Sequence, residues 1–130
     1  MFGPAWNQHD EGKALEAIKQ VEDEEELLKV IHKTKHFKVY IEAINRLKTI
    51  DALMKTVTDK AYVRSVRGYS KGSSGVAFCE HKKTTFDDMI KMFESASEIT
   101  REEAFIFLTV MRGSAPPEKI AADPKGFERL

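Results

Sequence analysis

A 26-residue self-similarity runs through the first half of this chain. Displaced by 26 positions, Glu16-Ala17-Ile18 falls on Glu42-Ala43-Ile44, Leu27 on Leu53 and Lys29 on Lys55. Conservative matches fill the intervals: Leu15 with Ile41, Val21 with Leu47, Leu28 with Met54 and Ile31 with Val57. A third copy opens with Phe37-Lys38 over Val63-Arg64 and Tyr40 over Val66. It then fails, because Gly68-Tyr69-Ser70 stands where Glu-Ala-Ile is due. A fixed period of this size constrains the fold more than composition does. Each unit is one supersecondary element that cannot cover its own apolar face, so neighbouring units must stack to build a core.

The matched positions recur at helical spacing. Phe37, Tyr40, Ile41, Ile44 and Leu47 form an i, i+3, i+4, i+7 stripe, and Ala14, Leu15, Ile18 and Val21 form a similar one. Leu27, Leu28 and Ile31 line a second, shorter helix, and Leu53, Met54 and Val57 repeat that face. Asp23, with Glu26 three residues on, reads as a capping box at the start of the second helix. Each unit therefore predicts two helices and a tight turn. The expected fold is all-α: stacked antiparallel helical hairpins over residues 11–70, forming an α-α superhelix.

This pattern resembles the short HEAT-like repeats, a class also found in phycobilisome lyases. The resembling residues are Phe37-Lys38 and Val63-Arg64 at the Val-Arg position early in the first helix, Ala43 at the small-residue position, and Leu53 and Val57 along the second helix. The resemblance covers about half the chain, and its 26-residue period is shorter than HEAT units of about 40–47 residues. Among HEAT-like enzymes, deoxyhypusine hydroxylase holds iron with His-Glu dipeptides. Here the four histidines precede Asp10, Lys33, Phe37 and Lys82, so that reaction has no support. The basic groove of the alkylpurine glycosylases has no residue-by-residue match either.

Beyond the repeats, residues 68–76 hold three glycines and three serines and read as a hinge loop. Val76–His81 fits a short helix or a strand. Thr85 is placed to cap a helix carrying Phe86, Met89, Ile90 and Phe93. Asp87 and Asp88 lie in its first turn, where the helix dipole favours negative charge. Thr100-Arg101-Glu102-Glu103 reads as a capping box opening a helix that ends near Gly113. Its middle, Ala104 to Met111, is apolar almost all round and reads as buried. Residues 85–113 are thus expected to be a helix pair capping the stack. Pro116, Pro117 and Pro124 leave at most one short helix, near Glu118–Ala122, in a tail over 114–130. Ile44, Leu53 and Leu108 are the expected core centres. Trp6 and Phe2 are expected to pack the leader onto the first helix.

The formal net charge is zero, but it hides a pattern. Residues 1–28 carry two basic and eight acidic side chains, residues 29–83 thirteen and four, and residues 84–130 six and nine. On a fifth helix, Lys60, Arg64, Arg67 and Lys71 would share one face at i, i+4, i+7 and i+11. Such a stripe could follow a phosphate backbone or pair with an acidic partner. Cys79-Glu80-His81 clusters three metal-capable residues, but no Cys-x-x-Cys or His-Glu-x-x-His pattern completes a set. The expectation is therefore no metal, no cofactor and no catalytic residue. A single cysteine excludes an intramolecular disulfide scaffold. The absence of a signal-peptide pattern or a run of about 20 apolar residues points to a cytoplasmic protein with no membrane partner.

Three function classes follow. The first is a protein–protein interaction or scaffold module, because stacked repeats present extended surfaces. The second is nucleic-acid or acidic-partner binding through the basic centre. The third is an accessory subunit of an enzyme. If the C-terminal pair caps the stack the chain is a monomer; if that pair meets a second chain it is a homodimer.

Overall fold

α1 (Glu11–Ile18) and α3 (Phe37–Arg46) begin 26 residues apart, as do α2 (Glu24–Lys33) and α4 (Ile50–Thr58). Within both pairs the second helix starts 13 residues after the first, from 11 to 24 and from 37 to 50. The same offset separates α5 (Ser73–Glu80) from α6 (Phe86–Ser95), which start at 73 and 86. α7 (Glu98–Ser114), α8 (Pro117–Ala122) and α9 (Pro124–Arg129) follow, and a 3-10 turn, Ala5–Asn7, precedes α1. The computed structural model describes residues 4–130, and all regular structure among them is helical. Phe2 lies outside the described residues.

Packing follows this order. α1 lies against α3, α3 against α5 and α5 against α7, while α2 meets α4 and α4 meets α6. Cross-links run from α2 to α3, from α4 to α5 and from α6 to α7. Equivalent positions are buried in successive pairs: Leu27, Leu53 and Met89, then Val30, Thr56 and Met92. Tyr40 and Ile44 of α3 occupy the centre, flanked by Ile18 of α1 and Phe78 of α5, all fully buried.

The seams between pairs are closed by hydrogen bonds to the carbonyls that follow each first helix. Val21 O accepts from Arg46 Nε at 3.1 Å, and Leu47 O, 26 residues later, accepts from His81 Nε2 at 2.9 Å. Lys119 Nζ then donates to His81 O at 3.0 Å and Thr84 O at 2.7 Å. Glu24 reaches across a seam as well, accepting from Lys48 N at 2.6 Å and Thr49 N at 2.8 Å. Partial desolvation raises the pKa of Glu24, but the Lys48 and Thr49 amides, the Thr49 hydroxyl and the Lys48 charge together outweigh it and hold its carboxyl below the usual range.

Several expectations need correction. The hinge does not run over 68–76: an irregular segment spans 59–72, and Ser73 already opens α5, so Val76–Glu80 is helix. Gly75 is a packing residue, not a breaker. A Cβ there would sit 2.7 Å from Thr100 Cγ2 and 3.0 Å from Thr100 O, so its absence lets α5 approach α7. Asp23 makes no side-chain cap on α2, and Glu26 instead accepts from the indole of Trp6 at 3.1 Å. α7 is capped by Ser97 and begins at Glu98, which leaves Thr100 inside the helix and buried against α5. Leu108 is only partly buried. The prolines start helices rather than ending structure, because Pro at the first helical position lacks only an N–H that would be unpaired anyway. The tail is docked, with the rings of Phe127 and Phe86 5.5 Å apart.

Other readings agree with the structure. Thr85 and Asp88 form a reciprocal capping box on α6. Trp6 is buried, and the turn that carries it packs on α1 and α2. No helix among the described residues is long and apolar enough to cross a membrane.

Candidate functional site

The basic residues singled out by spacing do not share a helix. Lys60, Arg64, Arg67 and Lys71 all fall in the irregular segment between α4 and α5. Lys60, Arg67 and Lys71 are exposed there, and Arg67 (φ 51) with Gly68 (φ 82) reverses the chain through two left-handed residues. Arg64 turns inward. Its Nε donates to Ile31 O at 3.0 Å, its Nη2 donates to Thr34 O, and its guanidinium lies 5.7 Å from the centre of the Tyr40 ring. It closes the C-terminal end of α2, where cations are favoured. The helical phase behind the stripe is absent because ten residues are inserted ahead of the third pair, whose first helix starts at 73 rather than 63.

Cys79, Glu80 and His81 also part company. Burial pushes the Cys79 thiol up to about 12, so it stays protonated at neutral pH. Glu80 is exposed. His81 is buried rather than superficial, and both its ring nitrogens are engaged. Nε2–H donates to Leu47 O at 2.9 Å, and Nδ1 accepts from Lys83 N at 3.1 Å. Those partners define one neutral tautomer. His36 is buried as well, with Nε2 2.6 Å from Gln8 O.

Burial lowers the His81 pKa, so the unfolded chain binds its proton more tightly than the folded one. Stability therefore rises with pH through the range below the ordinary imidazole value of about 6.5, and is lost as acid protonates the ring. Urea midpoints measured from about pH 5 to pH 7 should climb for the native chain. The climb should flatten in His81→Gln, whose amide can still donate to Leu47 O.

Among the clefts of the described residues, two combine apolar walls with charged rims near α8 and α7. One, of about 350 Å³, lies between α8 and the turn entering α6, and brings Lys82, Lys83 and Lys119 together with Glu80, Glu118 and Asp123. Its mixed signs give no net field, and the Lys119 ammonium is already committed to two carbonyls. The other, of about 310 Å³, runs between α6 and α7 and is lined by Ile90, Phe93, Phe105 and Leu108, with Arg112 and Arg129 at its edge.

This second cleft borders the main departure of the surface from ordinary composition. Five large apolar side chains stand out in the solvent among the described residues, and four of them belong to α7. Ile99 is 46% exposed, Phe105 60%, Ile106 62% and Val110 58%. The opposite side of the same helix carries Thr100, Ala104 and Met111, all buried. Sequence reasoning missed this face because the apolar run from Ala104 to Met111 exceeds what one buried face needs. The small buried residues of α7, Thr100 opposite Gly75 and Ala104, were the available signal. No family model matches the chain, and neither does any curated protein or solved structure.

Proposed function

We propose that this protein is an interaction module: a HEAT-like stack of helix pairs that docks an amphipathic helix on the outer face of α7. The observation that carries this reading is the pair of unlike faces on α7, one buried against α5 and the other apolar and bare. The two ends of the stack differ in the same sense. At the first end, α1 turns Lys13 and Glu16 to solvent and the Trp6 turn covers its flank. A terminal unit of a helical stack normally carries such a polar outer face. α7 does not, and it stands where a further helix would continue the series α1, α3, α5, α7. Contiguous exposed apolar surface of this kind marks interaction sites on soluble proteins. Helix-in-groove docking on i, i+3, i+4, i+7 anchors is the recognition mode that fits it.

The basic-face alternative loses its geometric premise with Arg64 turned inward and no helix over residues 60–71.

A synthetic amphipathic helix, with Leu on one face and Glu and Lys on the other, titrated into isotopically labelled protein tests the proposal. The methyl resonances of Ile99 and Ile106 should move, and those of the buried Ile18 and Ile44 should not. Shifts confined to another surface, or none at millimolar peptide, would remove α7 as the docking face.

A further inference from the structure

The outer face of α7 has a pattern that selects one occupant. Ile99, Ile106 and Gly113 are spaced by seven residues, with Glu102 and Val110 between them, so the five form a single stripe along the helix. Space beyond Gly113 is open: a Cβ built there meets nothing within 4 Å. The charges flanking the stripe are divided along its length. Glu98 and Glu102 are exposed at the N-terminal half and Arg112 is exposed at the C-terminal half.

Resting on the docking reading above, we propose that the occupant is the α7 of a second copy of this chain, packed antiparallel about a twofold axis beside Ile106. In that arrangement residue 106+n of one helix lies level with residue 106−n of the other. Ile106 meets its own copy, Ile99 meets the bare backbone of Gly113, and Val110 lies level with Glu102. Arg112 of each chain falls within two residues, about 3 Å along the axis, of the levels of Glu98 and Glu102 in its partner. A twofold axis perpendicular to both helices keeps the Glu98 and Arg112 flanks on the same side of the interface, so both charge contacts form twice. A parallel pair would stack glutamates on glutamates and arginine on arginine, and would align the two helix dipoles unfavourably. The surface is therefore self-complementary in one direction only, as an isologous contact requires.

Cysteine pairing separates the alternatives, because the native Cys79 is buried and protonated and stays out of the reaction. Ile99→Cys and Gly113→Cys alter exposed positions, so folding is preserved. Under mild oxidation an equimolar mixture of the two variants should form covalent dimer. Gly113→Cys alone should form little, because its two thiols would lie on the order of 20 Å apart along the axis. Sedimentation equilibrium of the native chain at about 100 µM should show dimer, weakened at least about tenfold by Arg112→Glu and restored when Glu98→Arg is added. Efficient cross-linking of Gly113→Cys with itself would overturn the antiparallel arrangement. A monomer throughout sedimentation would overturn the self-association. If the synthetic helix still shifts Ile99 and Ile106 in that monomer, the docking face stands and only its occupant is wrong.

Discussion

Ile44→Ala lowers the unfolding free energy by about 2–5 kcal/mol, read as a fall in urea midpoint at nearly unchanged slope. Ile44 is fully buried in α3, the helix that packs against both α1 and α5. Removing three carbons there leaves a void with ordered helices on each side. The void cannot collapse without moving two seams, which places the cost toward the upper part of the range. Leu108→Ala is the internal contrast. Leu108 lines the open cleft beside α7 and is only partly buried, so the loss there should be less than half as large. Equal losses at the two positions would mean that α7 is covered in solution. An unchanged midpoint for Ile44→Ala would remove Ile44 from the core.

Gly75→Val should destabilise by about 3 kcal/mol, through overpacking rather than a cavity. The first added carbon falls 2.7 Å from the Thr100 methyl and 3.0 Å from the Thr100 carbonyl oxygen. A methyl can be removed and a backbone oxygen cannot. Thr100→Ser deletes the methyl and keeps the hydroxyl, which lies 3.0 Å from Ser97 Oγ. The double variant should therefore recover part of the loss and leave a remainder set by the carbonyl. Thermal unfolding of the two single variants and the double variant checks this. A neutral Gly75→Val would show that α5 and α7 do not approach as closely as described.

Much of the first half was legible in the sequence because its signal is periodic. Burial of Leu27 and Leu53, and of Ile18 and Ile44, follows from the 26-residue match alone. The second half hid itself for three physical reasons. An insertion moved the third pair out of phase, so a search at a fixed period lost it at Gly68. Ser73, Ser74 and Gly75 are poor helix formers by propensity. They are helical here because α5 packs on α7, where only glycine at position 75 lets the helix approach Thr100, and tertiary contact outweighs local preference. The third reason concerns α7. Hydrophobicity reports which residues avoid water, not which of them have found a neighbour, so Ile106 and Met111 look alike in sequence while one is bare and the other buried.

The candidate site was mislocated by the same insertion. Arg64 drew attention as part of a positive stripe, yet it is a structural cation holding the carbonyls at the end of α2. The His81 bond to Leu47 O was not visible either, since it joins residues 34 apart across a seam.

Thiol labelling along α7 reads its bare face most directly. Single cysteines placed at positions 99, 104, 106, 110 and 111 of the native chain, at sub-micromolar concentration where association is suppressed, report how far each site is open to solvent. Cysteines at 99, 106 and 110 should react nearly as fast as in denaturant, and those at 104 and 111 at least about a hundredfold more slowly. Slow labelling at 99, 106 and 110 would mean that the chain covers this face itself, and α7 would then have nothing to offer a partner.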